Sequence, residues 1–213
     1  IYQCDWSSDV CSSDLLNSSF EEKNSQTGQS MRKLQVEKPV EVLFEGVNTD
    51  IYKKLDSTEG EVTDFINDMV KEEFNYLFVG HWLQGDLGQD RKDVGMLIKT
   101  FLETFKNKSK KPGLILKTSS ATYSIMDRDE MLEKINRIRA MVGNDKELPN
   151  VYLLHGELED TEVNELYNHP KVKAHVSFTK GEGYGRPLLE ASISQKPIIA
   201  PRSEEHTSEL QSH

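Results

Sequence analysis

The chain has 213 residues, a formal net charge of −10 and two cysteines. Its acidic balance and lack of a basic stripe argue against a nucleic-acid surface. No apolar run approaches the roughly 20 residues needed to span a bilayer, and two cysteines make no disulfide framework.

The two ends stand apart from the rest. Read back through ordinary codons, DWSSDVCSSDL (residues 5–15) and RSEEHTSELQSH (residues 202–213) give DNA strings that are reverse complements over their overlap. Unrelated protein segments have no reason to do this. Residues 1–15 and 202–213 are therefore expected to be translated sequencing adapter, and the insert a metagenomic fragment lacking native sequence at both ends. Setting them aside removes Cys4 and Cys11 and leaves a net charge of −5. Residues 16–38 are polar with no sustained period and read as a linker or the remnant of a missing N-terminal domain. Residues 39–201 read as one incomplete domain with a real core.

From Pro39 onward, short apolar runs alternate with amphipathic segments. The runs are PVEVLF, NYLFVGHW, GLILKTS, NVYLLHGEL, KAHVSFT and KPIIAP. They are mostly continuous, as expected of strands buried on both faces. Between them, KDVGMLIKTFLETFKN places Val94, Leu97, Ile98, Phe101, Leu102 and Phe105 on one stripe. DRDEMLEKINRIRAMVG offers Asp127 as N-cap with Glu130 three residues on. EDTEVNELYNHP groups Val163, Leu166 and Tyr167 and stops before Pro170, and RPLLEASISQ opens with a proline where a helix tolerates one. Strand–helix–strand repetition with short connections predicts an α/β fold: a Rossmann-like parallel sheet with helices on both faces. Such sheets bind ligands at the carboxyl ends of their strands.

One segment lies at such an end and carries chemistry. TKGEGYGRPLLEAS (residues 179–192) runs from strand to glycine loop to helix. Glycines let backbone N–H groups approach phosphate oxygens, and a helix N-terminus favours negative charge. The loop is not the dinucleotide fingerprint, because Arg186 stands at the third glycine, and it lacks the GK[ST] of a P-loop. Glu182 sits in the loop and Glu190 one turn into the helix. A carboxylate suits a pair of vicinal hydroxyls. Two of them flanking a phosphate-binding backbone point to hydroxyls on both sides of a diphosphate, ribose at one end and sugar at the other. Singly, each glutamate reads as a solvated charge.

EGYGRPLLEAS resembles the E-x7-E motif of retaining glycosyltransferases of GT-B fold, family 4 (glycosyl transferases group 1). FVGHW…DRKDVGMLIKTF is similar to that family's strand, glycine, variable loop and K-x8-F helix. VYLLHGELEDTEVNELY, EASISQKPIIAP and VEVLFEGVNTDIY resemble further segments in the same order. The resemblance implies the C-terminal, nucleotide-sugar-binding domain of a hexosyltransferase, with the fragment itself inactive. In its terms Glu182 contacts donor-sugar hydroxyls and Glu190 the ribose. The backbone of Gly183, Tyr184 and Gly185 faces the diphosphate and sugar. Lys92 neutralises the diphosphate, and Gly80 allows close approach.

The sequence departs from that pattern at two places. His81 replaces the usual arginine, and Arg91 is a candidate substitute. His81 reads as a neutral donor, a phosphate partner when protonated, or a packed residue. Arg186 replaces an apolar residue, and either reaches phosphate or pairs with a nearby acid. The segment QGDLGQD before Lys92 reads as a surface loop or a lid, and His155 and His175 as satisfied core histidines. No metal and no cofactor beyond the donor are expected. The implied partners are a nucleotide sugar and an acceptor that is a saccharide, lipid or protein. The implied setting is cytoplasmic, with membrane contact only through the missing domain. A non-catalytic nucleotide-sugar-binding domain, or a GT-B-like epimerase or phosphorylase, is the alternative.

Overall fold

A computed structural model of the protein describes residues 20–23, 26–34, 46–83, 87–120, 122–144, 147–182 and 184–201. The expected strand PVEVLF falls outside the described residues, as do the two ends. Where the sequence suggests a linker, Phe20–Lys23 (β1) and Ser30–Leu34 (β2) pair as an antiparallel ribbon, with Phe20 opposite Leu34 and Glu22 opposite Arg32. The ribbon alternates too little to be seen as strands by periodicity.

The main body is a parallel sheet of Asn75–Val79 (β3), Gly113–Lys117 (β4), Val151–Leu154 (β5), Val172–Val176 (β6) and Ile198–Ile199 (β7). Its order is β5-β4-β3-β6-β7. Glu61–Met69 (α1) precedes β3, and Val94–Phe105 (α2), Ile125–Val142 (α3), Asp160–Asn168 (α4) and Arg186–Ile193 (α5) connect the strands. The chain winds outward from β3 to β5, then returns across the sheet to place β6 on the other side of β3. That reversal opens a crevice at the carboxyl ends of β3 and β6, the topological switch point where such sheets bind ligands.

Helices cover both faces, as the alternation of elements predicts. On one face Val94, Leu97, Ile98 and Leu102 of α2 and Met131, Ile135 and Ile138 of α3 pack on Phe78, Leu114, Leu116 and Val176. On the other, Val62 and Ile66 of α1, Leu166 and Tyr167 of α4 and Ala191 of α5 pack with Tyr52 on Leu77, Ile115 and Val172. Neighbouring strand residues point to opposite faces, so Leu77 and Phe78 serve different cores. Only the centre of the sheet is buried as its apolar runs suggest: β4 is buried throughout, β5 is half-buried, and β7 is exposed.

The cap of α3 differs from expectation. Ser124, not Asp127, is the N-cap, and its hydroxyl accepts the Asp127 N–H at 3.1 Å. Asp127 is instead a buried third helical residue that accepts from the Ser120 N–H and hydroxyl and pairs with His155 Nε2 at 2.7 Å. Ser124 lies three residues earlier, where its oxygen reaches a free first-turn N–H. α4 begins with a reciprocal capping box between Glu159 and Glu162. No helix among the described residues is long and apolar enough to cross a membrane.

Candidate functional site

Two loops meet at the switch point, one after β3 and one after β6. The backbone stitches them together, with Lys180 N–H donating to Arg91 O at 3.0 Å. The Lys180 ammonium also donates to Gly88 O. Thr179 Oγ1 donates to Gly181 O at 2.8 Å, folding the second loop on itself.

This stitching sets Lys92 against Glu182. The Lys92 ammonium lies 2.5 and 2.6 Å from the two Glu182 carboxylate oxygens. Lys92 is 9% exposed. Arg91 flanks the pair, donating to Gly181 O at 2.6 Å and lying 3.5 Å from Glu182 Oε2. Gly80 closes the other side: with φ of 156°, a β-carbon there would meet Phe78 at 3.1 Å and the Lys92 stem at 3.6 Å. Glycine therefore lets the lysine stem pass close to the end of β3.

The glycine loop ends at Gly185, the residue before α5, in the left-handed region at φ 72°. Its carbonyl accepts from Leu188 N–H at 2.9 Å and Leu189 N–H at 3.1 Å. A β-carbon there would lie 3.7 Å from Glu182 Cβ, so the loop folds the Glu182 stem back over the helix start. Tyr184 is half-buried beside it. Gly183 lies outside the described residues.

Glu190 belongs to a second cluster. It is 3% exposed. Arg186 Nε donates to its Oε1 at 2.6 Å, and the Tyr167 hydroxyl to its Oε2 at 3.2 Å. Arg186 Nη2 reaches Asp160 at 3.1 Å and the Tyr52 hydroxyl at 3.3 Å, while the Tyr52 hydroxyl donates to Asp160 at 2.8 Å. Of the two roles open to Arg186 in the sequence, the structure shows the ion pair. Burial pushes the Glu190 carboxyl above its usual range, while Arg186 and Tyr167 pull it down. Burial, then the neighbouring Glu190, raises the Tyr167 phenol.

His175 lies between the clusters. It is 1% exposed and packs edge-on to the Tyr167 ring at 5.9 Å. Neither ring nitrogen has a hydrogen-bond partner among the described residues, so the expectation of a satisfied core histidine fails here. The strand backbone pairs only with itself and leaves the imidazole facing an aromatic ring. Burial first, and the Lys92 charge second, lower its pKa to about 4. His155, by contrast, is satisfied by Asp127. His81 is exposed, with Nδ1 3.3 Å from Ser119 Oγ. That contact faces the end of β4, and no hydrogen bond joins it to Lys92 or Glu182 among the described residues.

Glu182, Lys92, Arg91, Gly80 and Gly185 are thus brought together, whereas Glu190 and Arg186 form a separate group a helical turn further on. Tyr52, Asp160 and Tyr167 escape the sequence reading because each looks like an ordinary packed or surface residue; only their shared contacts with Arg186 and Glu190 mark them. Chemically, the first cluster holds cations ready for phosphate and a carboxylate able to take hydroxyls once its lysine is drawn away. A separate hollow of about 450 Å³ is lined by Glu59, Glu162 and Glu165, the same charge sign as phosphate. Among the described residues, no three His, Cys, Asp or Glu side chains gather as metal ligands.

No protein-family model matches the chain, and no curated protein does. Among solved structures it is similar to the C-terminal domain of a glycosyl transferase group 1 family protein (LpcC) from Francisella tularensis. The two share 15% identity over 73% of this chain and 70% of that one, with a TM-score of 0.51. At that identity the likeness is one of fold: the chain has the Rossmann-like α/β architecture of a GT-B C-terminal domain.

Proposed function

We propose that the chain is the donor-binding domain of a retaining glycosyltransferase of the family 4 type, moving a hexosyl unit from a nucleotide diphosphate sugar to an acceptor hydroxyl. The observation that carries this reading is the meeting of Lys92, Arg91 and Glu182 at the sheet's switch point, drawn from two different strand ends. The fold shared with a glycosyltransferase domain supports it.

In this reading the diphosphate takes Lys92 and Arg91 from Glu182, and the freed carboxylate accepts donor-sugar hydroxyls. As the bond from C1 to the diphosphate oxygen breaks, its electron pair goes to the phosphate. Fixed positive charge there lowers the barrier to departure. The acceptor oxygen bonds to C1 on the same face and gives up its proton to the departing phosphate. Glu190 receives ribose hydroxyls. The acceptor wall belongs to a second domain, so the chain alone binds donor without turnover. No metal is invoked.

Calorimetry with UDP-glucose, GDP-mannose and ADP-glucose tests the reading. One of them is expected to bind, and both Glu182→Ala and Glu190→Ala to weaken it at least tenfold. Binding unchanged in both variants, or none with any donor, contradicts it. In the complete enzyme, epimerisation without acceptor or dependence on free phosphate contradicts transfer.

A further inference from the structure

We propose that Arg186 is a positioning residue for Glu190, holding its carboxylate charged and oriented for the ribose hydroxyls while Tyr52 and Asp160 brace the guanidinium from the opposite side. This rests on the donor-binding reading above and extends it to a residue where the resembled family commonly has an apolar side chain.

Glu190 is almost wholly buried in the first turns of α5, where an unpaired carboxylate is costly. Arg186 lies one turn earlier on the same helix, so the i, i+4 spacing puts both side chains on one face and its Nε meets Glu190 Oε1 at 2.6 Å. A carboxylate offers about four acceptor positions. Arg186 and Tyr167 take one on each oxygen, which fixes the plane of the group and leaves places for two hydroxyls.

The guanidinium is itself held. Its Nη2 is engaged by Asp160 of α4 and by the Tyr52 hydroxyl, and its carbon lies 5.6 Å from the centre of the Tyr52 ring. Tyr52 is 1% exposed and gives the guanidinium a fixed wall on one side, whereas the Arg186–Asp160 pair is about half exposed. An arginine recruited to phosphate would have to leave both acids. Around Glu190 lie Arg186 on its own helix, Tyr167 on α4 and Tyr52 on the segment before α1, and Asp160 on α4 is linked to it only through Arg186 and Tyr52. His175 on β6 touches Tyr167 and is neutral.

The test is the pH dependence of donor affinity, read with whichever of UDP-glucose, GDP-mannose or ADP-glucose the wild-type chain binds. These diphosphate diesters do not titrate near neutrality. Binding needs ionised Glu190 and fails as pH falls through its pKa. Removing Arg186 moves that failure to higher pH. Arg186→Met is expected to weaken binding tenfold or more at the acidic end of the profile, to recover toward wild type as pH rises, and to be partly rescued in Arg186→Lys. Thermal unfolding of each variant checks that it is folded. If Glu190→Gln weakens binding but Arg186→Met leaves the pH midpoint unmoved, Arg186 is only a structural tie and the proposal is wrong. If Glu190→Gln binds like wild type, or no donor binds, the donor-site reading falls and takes the proposal with it.

Discussion

His175 shows what a single buried side chain does to this molecule. Its imidazole is sealed against the Tyr167 ring with no hydrogen-bond partner among the described residues, and its pKa falls from 6.5 to about 4. In the unfolded chain the same ring protonates near its ordinary value. The unfolded state therefore binds more protons between those two pH values. The stability contributed is fully present above about pH 6.5 and is lost as pH falls toward 4, a total of roughly 3 kcal/mol. His169, whose pKa is lowered by burial and then by Lys171, acts in the same direction. Replacing His175 by Phe should flatten the urea-midpoint profile between pH 6.5 and 4. A profile as steep as wild type would show that the ring is solvated in the fold.

At the scale of elements, α3 distinguishes a cap from a buried carboxylate. Ser124→Ala removes one first-turn acceptor and should cost about 1 kcal/mol. Asp127→Ala strands both His155 and Ser120 and should cost more, on the order of 3 kcal/mol. Urea titration of the two variants checks the order, and equal costs would contradict it. Sequence alone placed the helix but chose the wrong residue for its cap, because Asp and Ser three residues apart are both good N-caps and only burial separates them. The five helices show the same division. α2, α4 and α5 are legible from their stripes, the stop before Pro170 and Pro187 at the start of α5. α1 carries an apolar stripe too, but lies in the stretch between the first two apolar runs that the strand–helix pattern passes over. The site divides likewise: the glycine loop and its two glutamates are local in sequence, whereas the Tyr52–Arg186–Asp160 brace joins residues more than a hundred positions apart.

For the whole molecule, topology does what no single motif can. The order in which strands are added reverses between β5 and β6, and that reversal sets β6 parallel beside β3 and brings the Lys92 loop against the Glu182 loop, ninety residues later in the chain. Two helical layers then fix the sheet from both sides, so the two site loops are anchored on a packed frame. The ion pair it creates is nearly buried and self-neutralised, and in the proposed function the donor diphosphate separates it. The proposed function gives the pair two separable roles, Lys92 for phosphate and Glu182 for sugar. The most direct test compares a nucleoside diphosphate with the matching nucleotide sugar by calorimetry, in wild type, Lys92→Ala and Glu182→Ala. Lys92→Ala is expected to weaken both ligands at least tenfold, whereas Glu182→Ala is expected to leave the nucleoside diphosphate within threefold of wild type and to abolish the extra affinity contributed by the sugar. A Glu182→Ala variant that binds the nucleotide sugar as tightly as wild type would contradict these two roles.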